Sequence, residues 1–180
     1  MTYTVDLSSS IFDVNTYYPV IGGNEMTGTG FHRLKCSVEL NSGSKPSWST
    51  HDCGFTANLE LLVTRAGWGT TVGETLVLHN YACFTTSNSI QPIGYSQMNN
   101  SSRPVFWLRG GGKYFIKTSY STSWAIATSS TTYNNQTVAP VTSYPGVQYS
   151  KAASEGSWFI SSSLPYLWGP YTLYNVGTRL

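Results

Sequence analysis

The chain has 180 residues, 10 of them Lys or Arg and 8 Asp or Glu, and its net charge of +2 is too small for a nucleic-acid footprint. Aromatic residues reach 14%, and Ser, Thr and Asn number 58, so the chain is polar without being charged. So many β-formers and aromatics exclude a disordered chain and point to a folded β protein.

Read in order, the sequence predicts strands at Tyr3–Leu7, Tyr17–Ile21, His32–Leu40, Phe55–Thr64, Thr75–Phe84, Val105–Arg109, Lys113–Thr118, Trp124–Ser129 and Trp158–Ser161, with another near Tyr171–Val176. Two runs alternate strictly, Leu34/Cys36/Val38/Leu40 and Phe55/Ala57/Leu59/Leu61/Val63. Period-two spacing puts each apolar set on one face of a half-buried strand. The expected core is therefore Leu34, Val38, Leu40, Phe55, Leu59, Leu61 and Val63. Turn signals separate the strands, and Gly110-Gly111-Gly112 reads as a tight hairpin between two short ones. No helical period longer than two turns and no internal repeat is visible. The expected architecture is one all-β domain over 1–180, an antiparallel β-sandwich of jelly-roll-like character. The stretch 145–180, rich in Pro, Trp and Tyr, reads either as a closing strand or as a C-terminal arm seated on a neighbouring subunit.

Three cysteines, Cys36, Cys53 and Cys83, are too few for a disulfide scaffold, and reduced thiols are expected. No apolar run approaches the roughly 18 residues that span a bilayer, and MTYTVDLSSS lacks the marks of a signal peptide. Neither membrane insertion nor a secretory leader is expected.

The chemistry-bearing residues are sparse. No two of the eight acids share a motif that would pair them for glycan cleavage. His51-x-Cys53 and His79-x-x-x-Cys83, with His32, lack the paired spacing of zinc sites, so no metal or other cofactor is expected. A Cys53–His79 nucleophilic pair carries no family signature, and no catalytic residue is assigned. Loop aromatics are the stronger signal. Trp48, Trp68 and Trp124 fall in or beside loops, and an aromatic face near Asn, Ser and Asp suits the apolar C–H face and hydroxyl rim of a sugar. The plain account of each is an indole that plugs the end of a sandwich, since tryptophan is highly buried on average. The expected contacts are Trp48, His51 and Asp52 in one loop, Trp68, and Tyr120, Trp124 and Tyr133 further on.

On these residues the chain resembles a known family. GFHRLKCSVELNSGSKPSWSTHDCGFTANLELLVTRAGWGTT and PIGYSQMNNSSRPVFWLRGGGKYF look like the C-terminal domain of phage tail-fibre proteins, a resemblance covering roughly Val5 to Tyr144. It implies a β-structured, homotrimeric domain at the distal tip of a virion fibre, made in the bacterial cytoplasm. It also implies a non-enzymatic role: binding a bacterial surface glycan or outer-membrane protein. A polysaccharide depolymerase, a structural trimerisation or capping domain, and a lectin-like variable domain are the competing readings.

Overall fold

The computed structural model describes residues 1–26, 31–40, 46, 48, 55–64, 75–83, 91–98, 103–133 and 136–147. Its strands are β1 (Thr2–Asp6), β2 (Tyr17–Gly22), β3 (His32–Leu40), β4 (Phe55–Val63), β5 (Thr75–Cys83), β6 (Ile93–Met98), β7 (Arg103–Arg109), β8 (Lys113–Thr118), β9 (Trp124–Ile126), β10 (Thr131–Tyr133) and β11 (Gln136–Val138). They pair antiparallel into a first sheet, β1-β8-β3-β4-β5, a second sheet, β6-β7-β2-β9, and a ribbon, β10-β11. No helix occurs among the described residues. The molecule is an antiparallel β-sandwich.

Register explains why the alternating runs form its core. Val5, Tyr114, Val38 and Ala57 face one another across four strands, and Tyr3, Ile116, Cys36 and Leu59 form the next row. Every second residue of a strand shares a face, so these rows stack inward together. Leu34, Val38, Leu59, Leu61 and Val63 are fully buried, as expected; the side chains of Leu40 and Phe55 lie outside the described residues. From the opposite sheet they meet Tyr18, Val20, Tyr95, Phe106 and Leu108. Cys36 sits in this core as a free thiol, and burial pushes its pKa well up.

The second sheet is covered on both faces. Its outer face carries Tyr17, Ile21, Met98, Val105 and Trp107, packed by Ala127 and by Tyr133, Val138, Val141 and Tyr144 of the segment that follows. Double cover accounts for the unbroken burial of β2, where alternation would mark a sheet wet on one side. Pro19 fits inside this strand for a specific reason. Its carbonyl accepts from the Ala127 amide at 2.9 Å, so its nitrogen points to the side where β9 has already ended. Next along that side, Tyr17 exchanges backbone hydrogen bonds with Val141. The missing N–H of proline therefore breaks no ladder bond.

The Gly110–Gly112 turn corrects one expectation. It joins β7 to β8, which belong to different sheets, so it is a crossing between layers and not a hairpin. Its amides are claimed by other loops: Gly110 donates to Thr16 at 2.9 Å and Gly111 to Leu7 at 2.7 Å. Gly111 has φ of 90°, and a Cβ there would lie 2.7 Å from Pro46 Cβ, so glycine is required. Three strands were not foreseen: β6, β10 and β11. The strands expected at Trp158–Ser161 and Tyr171–Val176, and residues 148–180 as a whole, lie outside the described residues.

Candidate functional site

The β2–β7 ladder runs from Tyr17↔Arg109 to Ile21↔Val105, which separates its two ends by about 13 Å. The described ones among the expected contact residues, Trp48, Tyr120, Trp124 and Tyr133, divide between those ends and do not form one patch.

Trp48 lies at the Tyr17–Arg109 end. Its indole is 6% exposed, and its N–H donates to the Gly110 carbonyl at 2.8 Å. The Arg109 guanidinium stands 5.6 Å from the Trp48 ring and 5.8 Å from that of Tyr17, while its Nε–H donates to Val14 at 2.8 Å. Trp48 is therefore not the surface contact expected of a loop residue. The loop's high Gly, Ser and Pro content says nothing about where one indole goes, and this one closes the sandwich end. His51, Asp52 and Trp68 lie outside the described residues.

Tyr120, Trp124 and Tyr133 gather at the opposite end. Trp124 faces Gly22 directly across the β2–β9 ladder. The Tyr120 hydroxyl lies 3.5 Å from the position a Cβ on Gly22 would occupy. Arg103 donates to the Gly22 carbonyl at 3.2 Å and to that of Gly23, and its guanidinium lies 5.0 Å from the Tyr133 ring centroid. Backbone bonds fix the connecting segment, with Gly23 donating to Ser123 at 2.8 Å and Ser119 to Arg33 at 3.0 Å. The Asn24 amide donates to the Thr122 hydroxyl at 3.0 Å.

The surface of this end is aromatic and polar. The Tyr120 ring tilts against His32 at 5.0 Å, and neighbouring Phe31 is 59% exposed. Asn24, Ser121 and Ser123 are exposed around them. Planar rings beside amide and hydroxyl groups can hold a ligand with one apolar face and a hydrogen-bonding rim. Phe31, Asn24 and Arg103 were not singled out from the sequence. Arg103 carried a usable signal, since cations are scarce and it precedes Pro104 at a strand start.

Electrostatics add little acid–base chemistry to the described residues. Burial raises the Tyr120 phenol pKa far above its ordinary value. Asp6 is held below the usual carboxylate range, chiefly by hydrogen bonds from Ser8, the opposite direction from a general acid. Glu60 pairs with Arg33 at 3.4 Å on the outer face of the first sheet. Among the described residues no group of three His, Cys, Asp or Glu is placed to hold a metal.

No protein-family model, no curated protein and no solved structure matches this chain.

Proposed function

We propose that this chain is the receptor-binding tip domain of a phage tail fibre, non-catalytic and homotrimeric, and that it recognises a bacterial surface glycan or outer-membrane protein. The observation that carries the reading is the end of the sandwich where the Tyr120 ring meets His32, with Phe31, Asn24, Ser121 and Ser123 exposed on the adjoining segments. Such a surface offers stacking and hydrogen bonding, which suits a sugar. The resemblance of the segments quoted above to tail-fibre domains supports the biological setting. For the trimer, the first sheet supplies an edge strand, β1, paired only with β8 among the described residues. An edge of this kind offers its backbone groups to another chain.

The test is an array of bacterial surface polysaccharides and outer-membrane proteins, run with native mass spectrometry. Wild-type protein should bind as a trimer, and Phe31→Ala should weaken binding more than tenfold with an unchanged melting temperature, as expected for an exposed aromatic anchor. Shortened polysaccharide products would replace the reading with a depolymerase. A stable monomer that binds nothing on the array would overturn it.

A further inference from the structure

Alternation gives the first sheet an outer face of its own chemistry. Tyr114 and Ile116 of β8 and Leu34, Cys36 and Val38 of β3 point into the core. Lys113, Phe115 and Lys117 therefore point away from it, as do Arg33, Lys35 and Ser37. In register, Thr2, Lys117, Lys35, Glu60 and His79 stand in one row across the five strands.

Lys35 and Lys117 are thus directly opposed, with Cβ atoms about 5 Å apart, and like charges so placed destabilise a sheet. Glu60, the acid beside Lys35, is engaged by Arg33 at 3.4 Å, and the neighbour of Lys117 on β1 is the uncharged Thr2. Lys113, at the other end of β8, pairs with Asp6 at 3.5 Å, whereas neither Lys35 nor Lys117 has an ion pair among the described residues. Arg33, Lys35 and Lys117 against Glu60 leave these rows two positive charges in excess, as much as the whole chain carries. One sign of charge concentrated on a surface draws an anion to it.

The next outward row holds an aromatic ring. Phe115 is partly exposed and stands between Thr4 and Ser37. Lys117 is two residues along the same strand and Lys35 lies diagonally across, so a ligand seated on the ring is within reach of both. The complement of this face is a ring with one apolar side, a hydroxyl rim and a negative charge, which describes an acidic sugar. A nucleic acid fits it less well, since a duplex site draws on roughly 6–10 phosphate contacts, more than these cations supply. We propose that the outer face of β8 and β3 binds an anionic polysaccharide, with Lys35 and Lys117 sharing one carboxylate or phosphate and Phe115 lying under the sugar that bears it. This face is separate from the Phe31–Tyr120 end, and its assignment does not rest on the receptor reading.

Calorimetric titration of the full chain tests this with three polymers: polygalacturonate, which carries carboxylates, a glycosyl-phosphate polymer, and neutral dextran. At least one acidic polymer should bind, dextran should not, and added salt should weaken the binding. Whichever polymer binds identifies the anion. Lys117→Gln should weaken binding about tenfold, the loss of one hydrogen bond to a charged group. Lys117→Glu should abolish binding while leaving the melting temperature unchanged or up to about 2 °C higher, because the new acid opposes Lys35. A loss of binding in that variant therefore cannot come from unfolding. Phe115→Leu should weaken binding severalfold by replacing the flat ring. No binding of either acidic polymer, or equal binding of dextran, would overturn the proposal. So would tighter binding of single-stranded DNA or of phosphatidylserine vesicles, unchanged affinity in Lys117→Glu, or a lowered melting temperature in that variant.

Discussion

The indole of Trp48 reaches across the chain to the carbonyl of Gly110, 2.8 Å away, and so ties a loop residue to the turn that carries the chain from one sheet to the other. Because the same turn holds the left-handed Gly111, two special features meet at one end of the sandwich. Trp48→Ala should cost roughly 3–5 kcal/mol, the range for deleting a buried large aromatic. Urea unfolding measures the loss directly. A loss below about 1 kcal/mol would mean that the indole is not the plug described.

Gly111→Ala should also destabilise the protein, by roughly 1–3 kcal/mol, since an alanine must adopt φ near 90° and press its Cβ on Pro46. Its midpoint in urea should move with little change in slope. Gly146→Ala is the control, because φ there is also positive but nothing lies within 4 Å of the added carbon. It should lose only the backbone part.

In the middle of β4, Leu59→Ala removes a fully buried side chain from the row shared with Cys36 and Ile116. The expected cost is about 2–5 kcal/mol, from lost burial and the cavity left behind. Thermal or urea unfolding checks it, and a change of a few tenths would contradict the register.

Alkali should unfold this protein early. Burial raises the pKa of Cys36 above its ordinary 9.0 and those of Tyr95 and Tyr114 above 10.0. In each case the neutral form is the folded form, so the unfolded chain releases its proton first as pH rises. Stability contributed this way is complete below the unfolded values and declines once pH passes about 9 and then 10. Unfolding midpoints from pH 7 to 11 should fall in that order, and Cys36→Ala should remove the first decline. A flat profile to pH 11 would refute the burial of these groups.

The parts of the fold legible in the sequence were those with one dry face. β3 and β4 alternate because one side packs the core and the other carries Arg33, Lys35 and Glu60, so periodicity alone located them. Reading β6 was harder, since Ile93-Gly94-Tyr95-Ser96-Gln97-Met98 is buried at all but Ser96 and has a glycine near its start. The cause is tertiary: Tyr95 accepts a further neighbour, its amide donating to the Gly146 carbonyl at 3.0 Å. β10 and β11 are three residues each, too short for any period to appear. Turn chemistry was readable at Gly110–Gly112, but the layer entered by the following strand is decided by β1 and β3, both far back in the sequence. The same holds for the placement of the expected contact residues. Tyr120, Trp124 and Tyr133 are near in sequence and lie at one end of the sandwich, whereas Trp48 carries the same local signals and lies at the other.

The cladding of the second sheet by residues 131–144 has a consequence for any attempt to shorten the chain. A protein cut after Ala127 would keep every strand of both sheets, β1 to β9, and by strand count would look whole. It would nonetheless lay bare Tyr17, Ile21, Val105 and Trp107 as one contiguous sticky surface. Such a fragment should precipitate or need a solubilising partner, while one ending beyond Tyr144 keeps its coat. The segment 131–144 thus keeps an apolar sheet face out of water, and cleavage between Ala127 and Thr131 should raise the tendency to aggregate, which light scattering would read.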